Sequence, residues 1–422
     1  MGLVKFTLFV VLLTSSYGAV VGTNVPAQSI TAARIAQLPK ARQAAWKQYL
    51  DRSARQMEAD RAVLRAELKE AGLKEALIPP YGSSARSMPL TKPAEWYGSA
   101  EALRIAQGIV SFQTPAGGWS KNLNVADHLR RKGESFAPNN LSHYLSPGDF
   151  DTPADPSWNY VGTLDNDATT TELQFLAKVI GAGKDTGAYR ASFLRGVEYL
   201  FAAQLPNGGW PQVWPLEGGY HDAITFNDGA VTETLELLEA VAEGKFSFVP
   251  AELAKRAQAS VLRGIDCIIE TQITENGKRT VWGQQHDALT LKPVAGRNYE
   301  PAAECSSESA SMILFLMDLP KPSAKVVAAI QAAVVWLEQT AITGKTYVRT
   351  PEARFLIDSA DAKTIWARYY EIGTRRPIFG DRDKSIHDDI WEISRERQMG
   401  YSWYNEVPQS ALDRYAEWRL KH

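Results

Sequence analysis

The stretch QTPAGGW at residues 113–119 recurs as QLPNGGW at residues 204–210. Each copy follows a run of residues that favours a helix. Because glycine tolerates the left-handed backbone at a helix end, Gly-Gly-Trp is typical of a helix terminus covered by an aromatic ring. Related glycine loops follow Gln272 and Gln339. The repeat therefore predicts a series of helices that end in the same way.

A second repeat alternates with the first. NDATTTEL at 166–173 matches NDGAVTET at 227–234, and a looser third copy begins at Glu304. Polar N-terminal ends on apolar bodies, alternating with a second helix type, are expected of helical hairpins arranged in a ring. We therefore predict an all-α fold in which the Asn- and Asp-bearing ends of the inner helices meet at one rim.

Both repeats leave alternatives open. Asn and Asp are good N-cap residues, so the Asn-Asp pairs could serve only to begin helices. Trp119 could be a lid over a helix end, or it could stack on a sugar face at the rim.

Composition is that of a globular protein. The chain has 422 residues, 45% hydrophobic and 22% charged, with a formal net charge of −2. Such a balance gives no global basic field for nucleic acid or an anionic membrane. No run after the N-terminus approaches the length of a membrane span. We expect neither kind of partner, and we expect a monomer.

The N-terminus predicts export. Lys5 precedes an apolar run at 6–13, and small residues follow up to Ala19. This order is typical of a secretory signal over residues 1–19, although an N-terminal helix that stays attached is the alternative. We expect the mature protein to be secreted, either outside the cell or into a periplasm.

Two further parts follow the signal. Residues 20–90 are predicted to form an N-terminal helical extension, with one or two helices before the breaker PPYG at 79–82. Residues 91–422 are predicted to form the main domain. Cys267 and Cys305 could form a disulfide or lie separately in the core, and the sequence does not decide between these.

Charged and polar residues mark a candidate site. Arg297 lies in the Gly/Pro-bracketed loop GRNYEP at 296–301. Asp165, Asn166 and Asp228 supply carboxylate and amide oxygens, which suit a hard cation such as calcium. Together these residues predict a metal-assisted site for a carboxylated substrate.

Four motifs give the chain a family resemblance. LDNDAT at 164–169, FND at 226–228, GRNYE at 296–300 and FGDRD at 379–383 occur in this order. Together they resemble the pectate lyases of polysaccharide lyase family 10, over about residues 96–404. The resemblance implies an incomplete (α/α) toroid and calcium-assisted cleavage of polygalacturonate, or demethylated pectin, by β-elimination.

The resemblance also implies roles for individual residues. Arg297 would be the base, while Arg368 and Arg382 would bind substrate carboxylates. Asp165, Asn166 and Asp228 would hold calcium, and Asn166 would also touch the substrate. Separately, Lys121, which follows Gly-Gly-Trp-Ser, is a candidate substrate-binding cation.

Elimination explains why cations would gather here. Removing the proton next to a uronate carboxylate spreads negative charge onto that carboxylate, which calcium and arginines stabilise. An arginine base is demanding, because a guanidinium is ordinarily protonated. We expect nearby cations to lower the pKa of Arg297 and so to favour its neutral form.

Rival interpretations remain at this stage. Arg297 could simply form a surface ion pair with Glu300 or Glu304. The acidic loop at 149–155 lacks the ligand pattern of an EF-hand and is interpreted as solvated.

Other activities also compete. A glycoside hydrolase on a similar ring would use Asp165 and Asp228 as acid and base. A terpene cyclase and a pectin-binding module without turnover are the remaining alternatives.

Overall fold

The computed structural model describes residues 20–83 and 85–421. The predicted signal at residues 1–19 lies outside them. The α-helices in the described ranges are α1 Ala32–Ile35, α2 Lys40–Ala71, α3 Ala100–Phe112, α4 Thr170–Gly181, α5 Ala188–Ala203, α6 Ala230–Ala242, α7 Ala251–Thr271, α8 Ser306–Asp318, α9 Ala324–Thr340, α10 Arg395–Gly400 and α11 Val407–Trp418.

Short strands connect and flank the helices. They are β1 Val20–Thr23, β2 Ile224–Thr225, β3 Thr274–Glu275, β4 Lys278–Arg279, β5 Gln285–His286, β6 Pro293–Val294, β7 Glu304–Cys305, β8 Lys345–Arg349, β9 Arg354–Asp358, β10 Trp366–Ala367, β11 Tyr369–Tyr370, β12 Phe379–Gly380, β13 Ser385–His387 and β14 Tyr404–Asn405. They form small antiparallel sheets in the orders β1-β13-β12, β2-β5-β6, β10-β14, β11-β7, β3-β4 and β8-β9.

Consecutive helices pack as hairpins around a common core. Helix α4 packs on α5, α6 on α7 and α8 on α9, while α6 also contacts α4 and α8. Helices α4, α6 and α8 therefore form the inner row, and their partners lie outside it. The predicted incomplete (α/α) toroid is confirmed.

Glutamine side chains tie the end of one outer helix to the next. The amide of Gln113, just after α3, donates to the carbonyl oxygens of Gly117 and Ser192, the latter in α5, each at 2.8 Å. Gln204 and Gln272 repeat this bridge to α7 and α9. Because each bridge satisfies carbonyl groups on two helices, the repeat read in the sequence also sets the spacing of the outer row.

The tryptophans of the repeat are structural. The indole N–H of Trp119 donates to the carbonyl oxygen of Ile109 at 2.7 Å, and Trp210 does the same to Leu200 at 2.8 Å. Trp119 is 0% exposed. The suggestion that it stacks on a sugar is therefore wrong, and the lid interpretation holds.

The fourth predicted copy of the glutamine pattern is formed only in part, because α9 ends at Thr340 before the Gly344 loop but Gln339 does not make the bridge. Gln339 is exposed and remains within α9. The tryptophan of this copy comes from further along the chain, since the Trp366 indole donates to the carbonyl oxygen of Leu337 at 2.8 Å.

The N-terminal segment is fastened to the rest of the chain. Strand β1 pairs with β13, and Trp46 and Tyr49 of α2 belong to the large core. The Tyr49 hydroxyl donates to the carbonyl oxygen of Ala203 at 2.8 Å. The expected boundary at residue 90 stays a prediction.

Two open points from the sequence concern the core and the membrane. Cys267 and Cys305 are both buried free thiols, so the disulfide alternative is not adopted. Across residues 20–83 and 85–421, none of the helices combines the length and apolar character needed to cross a bilayer.

Candidate active site

Two short 3₁₀ turns bring the Asp and Asn residues together. Asp165–Asp167 precedes α4 and Asn227–Gly229 precedes α6, and the two turns contact each other. The backbone is left-handed at Asn166, with φ 56°, and at Asp228, with φ 48°. The N-cap positions belong to Thr169 and Gly229. Helix capping therefore does not account for Asn166 or Asp228.

A strained threonine fixes the first turn. Thr169 has φ 69°, a conformation that is costly for a β-branched residue. Its N–H donates to Glu172 at 2.7 Å and its hydroxyl donates to the carbonyl oxygen of Thr163 at 2.8 Å. Such strain persists only where the surroundings determine it, and it is frequent at functional sites.

Asp165 is buried against Lys121. The ammonium Nζ lies 2.6 Å from Asp165 Oδ2, and Gln212 donates to Oδ1 at 2.9 Å. Burial alone would raise the pKa of Asp165, but Lys121 and Arg297 lower it to about 2. Lys121 Nζ also lies 3.3 Å from the ring centroid of Tyr160. Lys121 therefore meets Asp165 and Tyr160 in this structure, and its contact with substrate stays a prediction.

Asp228 has a different environment from Asp165. Burial, and then the negative charge of Asp165, raise the pKa of Asp228 to about 6. Arg86 Nη2 lies 3.5 Å from Asp228 Oδ2, and the same nitrogen donates to Asn166 Oδ1 at 2.5 Å. A cationic group thus bridges two of the three predicted calcium ligands.

Arg297 lies in a turn closed by Glu300. Glu300 Oε2 accepts from the Arg297 N–H at 2.9 Å, and its Oε1 lies 3.4 Å from Nη1. Asp151 Oδ2 lies 3.5 Å from Nε of the same arginine. Since the Arg297 side chain is 22% exposed, this is a partly buried pair, whereas the alternative foresaw a surface one.

In the metal-free structure the neighbours of Arg297 act against the electrostatic expectation. Burial acts to lower the pKa of Arg297, but the acidic groups around it, Tyr220 and Glu300 first, raise it above its ordinary value. Without substrate or metal, the neighbourhood of the guanidinium is anionic, so the charged form is favoured.

The acidic loop at 149–155 contributes to this neighbourhood. Tyr220 donates a short hydrogen bond to Asp151, and the hydroxyls of Tyr160 and Tyr220 lie 3.0 Å apart. These contacts connect Arg297, through Asp151, to the residues around Lys121. The solvated interpretation of the loop is therefore wrong at Asp151. No spacing in the sequence connects it to Tyr220, 69 residues away.

Arg368 lies beside the second turn. Its Nη2 donates to Asn227 Oδ1 at 3.0 Å and also hydrogen-bonds to Glu308, and its guanidinium lies 4.8 Å from the Tyr401 ring centroid. Arg368 and Asp228 line one cleft of about 580 Å³. A bound carboxylate in this cleft would lie within reach of a planar, bidentate donor.

Arg382 lies on the other side of the Arg297 turn. Its Nε donates to Glu396 at 2.7 Å, and its guanidinium lies 4.1 Å from the ring centroid of the exposed Tyr144. The side-chain amide of Asn298 donates to the Arg382 carbonyl oxygen at 2.7 Å. The structure thus places Arg382 next to the Arg297 turn and Arg368 next to the Asp228 turn.

The donor set fits calcium in part. In the portion of the chain that the structure describes, three or more His, Cys, Asp or Glu side chains do not come together as a preformed metal cluster. Asn166 and Asp228 nevertheless face a cationic nitrogen, as ligands of a metal ion would. Asp165 already accepts through both oxygens. Because calcium takes six to eight oxygen ligands, water and substrate would have to supply several.

The comparisons with known proteins decide the family. The model of the family described as pectic acid lyase matches residues 113–412. The chain belongs to that family. The comparison with curated proteins gives no match.

Solved structures agree with the family. A family 10 polysaccharide lyase from Cellvibrio cellulosa is 31% identical, with a TM-score of 0.65 and coverage of 78% of this chain and 95% of that chain. A mutant of the family 10 lyase from the same organism, in complex with trigalacturonic acid, is 30% identical, with a TM-score of 0.65 and coverage of 79% and 97%. Family and structural relatives together support polysaccharide lyase activity for this pectic acid lyase family member.

Proposed function

We propose that the protein is a pectate lyase that cleaves polygalacturonate by calcium-assisted β-elimination, with Arg297 as the base. The observation that carries this proposal is the position of Arg297. The charge of Arg297 lowers the pKa of Asp165, and the turn that holds Arg297 lies next to Arg382. Tyr401 connects this turn to the cleft shared by Arg368 and Asp228, because its hydroxyl donates to Glu300 and its ring lies beside Arg368. The trigalacturonic acid bound to the Cellvibrio relative supports the same substrate class.

The chemistry requires a base and a stabilised carboxylate. A nitrogen of neutral Arg297 takes the proton from the carbon next to the uronate carboxylate. The electron pair of the broken C–H bond forms a carbon–carbon double bond, and the bond to the glycosidic oxygen breaks. That oxygen leaves with the electron pair of the C–O bond and takes a proton from water, while Arg297 returns its proton to solvent. Arg368 and Arg382 would hold substrate carboxylates through paired hydrogen bonds. Asp165, Asn166 and Asp228 would hold calcium, which would supply positive charge to neutralise a substrate carboxylate.

The raised pKa of Arg297 gives the proposal a pH dependence. Only the neutral guanidine accepts a proton, and the acidic neighbours Asp151 and Glu300 make that form scarce. Activity should therefore rise toward alkaline pH, where the neutral fraction grows.

The hydrolase alternative is less well supported. Asp165 and Asp228 do have pKa values pushed apart, to about 2 and about 6, as an acid and base pair would require. However, Lys121 and Gln212 occupy the oxygens of Asp165, and family membership favours a lyase.

One incubation distinguishes the three activities. Polygalacturonate with calcium at alkaline pH should yield an unsaturated uronide, seen as rising ultraviolet absorbance, and a calcium chelator should stop the reaction. New reducing ends without that absorbance would indicate hydrolysis. Retention on polygalacturonate without any product would indicate a binding module, and full activity in chelator would remove calcium from the proposal.

We further propose that the protein is exported and acts as a monomer. The charged, apolar and small-residue order of residues 1–19 supports export. N-terminal sequencing of protein recovered outside the cytoplasm should show loss of this segment, and its mass in solution should be that of one chain.

A further inference from the structure

Arg86 is the residue that no sequence motif connected to the site. It precedes the family match at 113–412 and belongs to the end of the N-terminal extension. Its segment is attached to the main domain, because the Gly82 N–H donates to the carbonyl oxygen of Asn122 at 2.8 Å. Arg86 therefore reaches the site from a segment fixed nearby at Gly82.

One nitrogen of Arg86 serves both turns. Nη2 donates to Asn166 Oδ1 at 2.5 Å and lies 3.5 Å from Asp228 Oδ2. Both partners have a left-handed backbone, which aims their side chains from two different helix ends toward one point. The guanidinium nitrogen occupies that point.

Calcium would need the same oxygens. It binds oxygen ligands at about 2.3–2.6 Å, so an ion held by Asn166 and Asp228 would lie where Nη2 lies now. Two cations do not share such a position, because they repel each other and because each needs the same lone pairs. Arg86 and calcium are therefore alternatives at this point.

The charges around Arg86 support this exchange. In the paired turns Asp165 repels both Asp167 and Asp228, and Arg86 offsets part of this repulsion. The Arg86 side chain is 54% exposed, so it can rotate into solvent without rearrangement of the core.

We propose that Arg86 is the resident cation of the calcium site in the metal-free enzyme, and that calcium binds by displacing it. This inference rests on the proposed calcium role of Asn166 and Asp228. With Arg86 in place, the metal-free protein keeps its two turns in the arrangement that binds calcium. Calcium affinity is lower as a result, because calcium must displace Arg86.

Calcium titration of the full chain without substrate tests the exchange. Isothermal titration calorimetry should show that Arg86→Gln binds calcium about fivefold more tightly than the wild type, the factor that an ion pair of this exposure is worth. Arg65→Gln is the matched control. It removes one exposed arginine of the same extension, paired with Glu58 away from the two turns, and should bind calcium as the wild type does.

The outcomes separate this inference from the proposed function. If Arg86→Gln and Arg86→Ala, both with wild-type thermal unfolding, bind calcium no more tightly than the wild type, the exchange is wrong while the calcium site stands. An equal increase in the calcium affinity of Arg65→Gln would show that the effect comes from net charge alone, and would also overturn the exchange. If no variant takes up calcium, with or without trigalacturonate, and the lyase ignores chelator, the proposed metal site fails as well.

Discussion

At the scale of single residues, Arg297 combines rigid placement with a pKa that opposes its proposed role. Glu300 holds both its backbone N–H and its guanidinium, so the side chain has a defined direction. The same carboxylate, together with Asp151, favours the charged form. The same neighbours thus set both the position and the protonation state of the Arg297 side chain, and substitutions can separate the two effects.

Replacing Arg297 tests the base directly. Arg297→Lys keeps a positive charge but loses the planar fork that meets Asp151 and Glu300, so we expect kcat to fall by about a hundredfold or more, a typical contribution of a general base. The ultraviolet assay measures kcat, and retention on polygalacturonate measures binding, which should persist. The control is Arg376→Lys, in a surface arginine paired with Glu371 and Asp388. Undiminished turnover in Arg297→Lys would exclude Arg297 as the base.

Removing the Asp151 charge tests the protonation argument. Asp151 raises the pKa of Arg297, so Asp151→Asn should lower that pKa and increase the neutral fraction at any given pH. The rising limb of the kcat/KM profile should then move to lower pH, by about half a unit to one unit.

The control for this shift comes from the same loop. Asp155 pairs with Arg61 at 3.0 Å, away from Arg297, so Asp155→Asn should keep the wild-type profile. A profile that stays in place in Asp151→Asn would mean that titration of Arg297 does not govern the rate.

At the scale of elements, the N-terminal segment supports the Arg297 turn. The side-chain amide of Asn24, just after β1, lies 3.3, 3.1 and 3.1 Å from the carbonyl oxygens of Arg297, Asn298 and Glu300. Asn24 is buried, and its own N–H donates to the Lys384 carbonyl oxygen at 2.7 Å. A segment remote in sequence thus positions the proposed base.

Losing this amide should affect catalysis more than binding. Asn24→Ala leaves three carbonyl groups without their shared donor, so we expect a roughly tenfold lower kcat, a nearly constant KM and about 1–3 kcal/mol less stability. Asn24→Asp should be worse, since its carboxylate would face those carbonyl oxygens. Enzyme assays and urea unfolding give the three quantities.

A matched asparagine shows whether the effect is local. Asn207 also donates to a backbone carbonyl oxygen, that of Ala288 at 2.8 Å. Asn207→Ala should lower stability without lowering kcat. An equal loss of kcat in both variants would leave Asn24 with a general structural role only.

These contacts also show what the sequence could predict. The helical ring was predictable because Gln113, Gln204 and their tryptophans repeat at matching positions, and a local pattern predicts a local structure. The Arg297 turn was predictable for the same reason. Contacts such as Asn24 to Glu300, 276 residues apart, and Arg86 to Asn166, 80 apart, depend on the packed chain and have no periodic signal.

At the scale of the whole molecule, the ring collects carboxyl groups whose pKa burial raises. Glu172 and Glu233 hold equivalent positions in the second repeat, at the start of α4 and α6, and burial raises the pKa of each to about 7. Burial also raises the pKa of Glu217 to about 8 and that of Glu304 to about 7. At pH values between the ordinary pKa and the raised pKa, the folded state therefore holds a proton that the unfolded chain has already released.

This proton linkage predicts that stability falls as pH rises from about 4.5 to above 7. Glu172 is the cleanest probe, since it is 1% exposed and its Oε1 has no hydrogen-bond partner within the described structure. A pKa raised from 4.5 to about 7 destabilises the folded state by about 3 kcal/mol once both states are ionised. Glutamine does not titrate and can still accept a hydrogen bond from the Thr169 N–H. The free energy of unfolding of Glu172→Gln, relative to that of the wild type, should therefore increase by about 3 kcal/mol between pH 4 and pH 8.

Urea unfolding at several pH values measures that difference. Glu198→Gln on α5, which removes an exposed carboxylate paired with Arg256, provides the comparison for an exposed site. A constant difference between Glu172→Gln and the wild type from pH 4 to pH 8 would show that Glu172 ionises equally in both states. The calcium-free enzyme would then have to tolerate the charge of its inner row by solvation, because the protons assigned to these glutamates would no longer neutralise it.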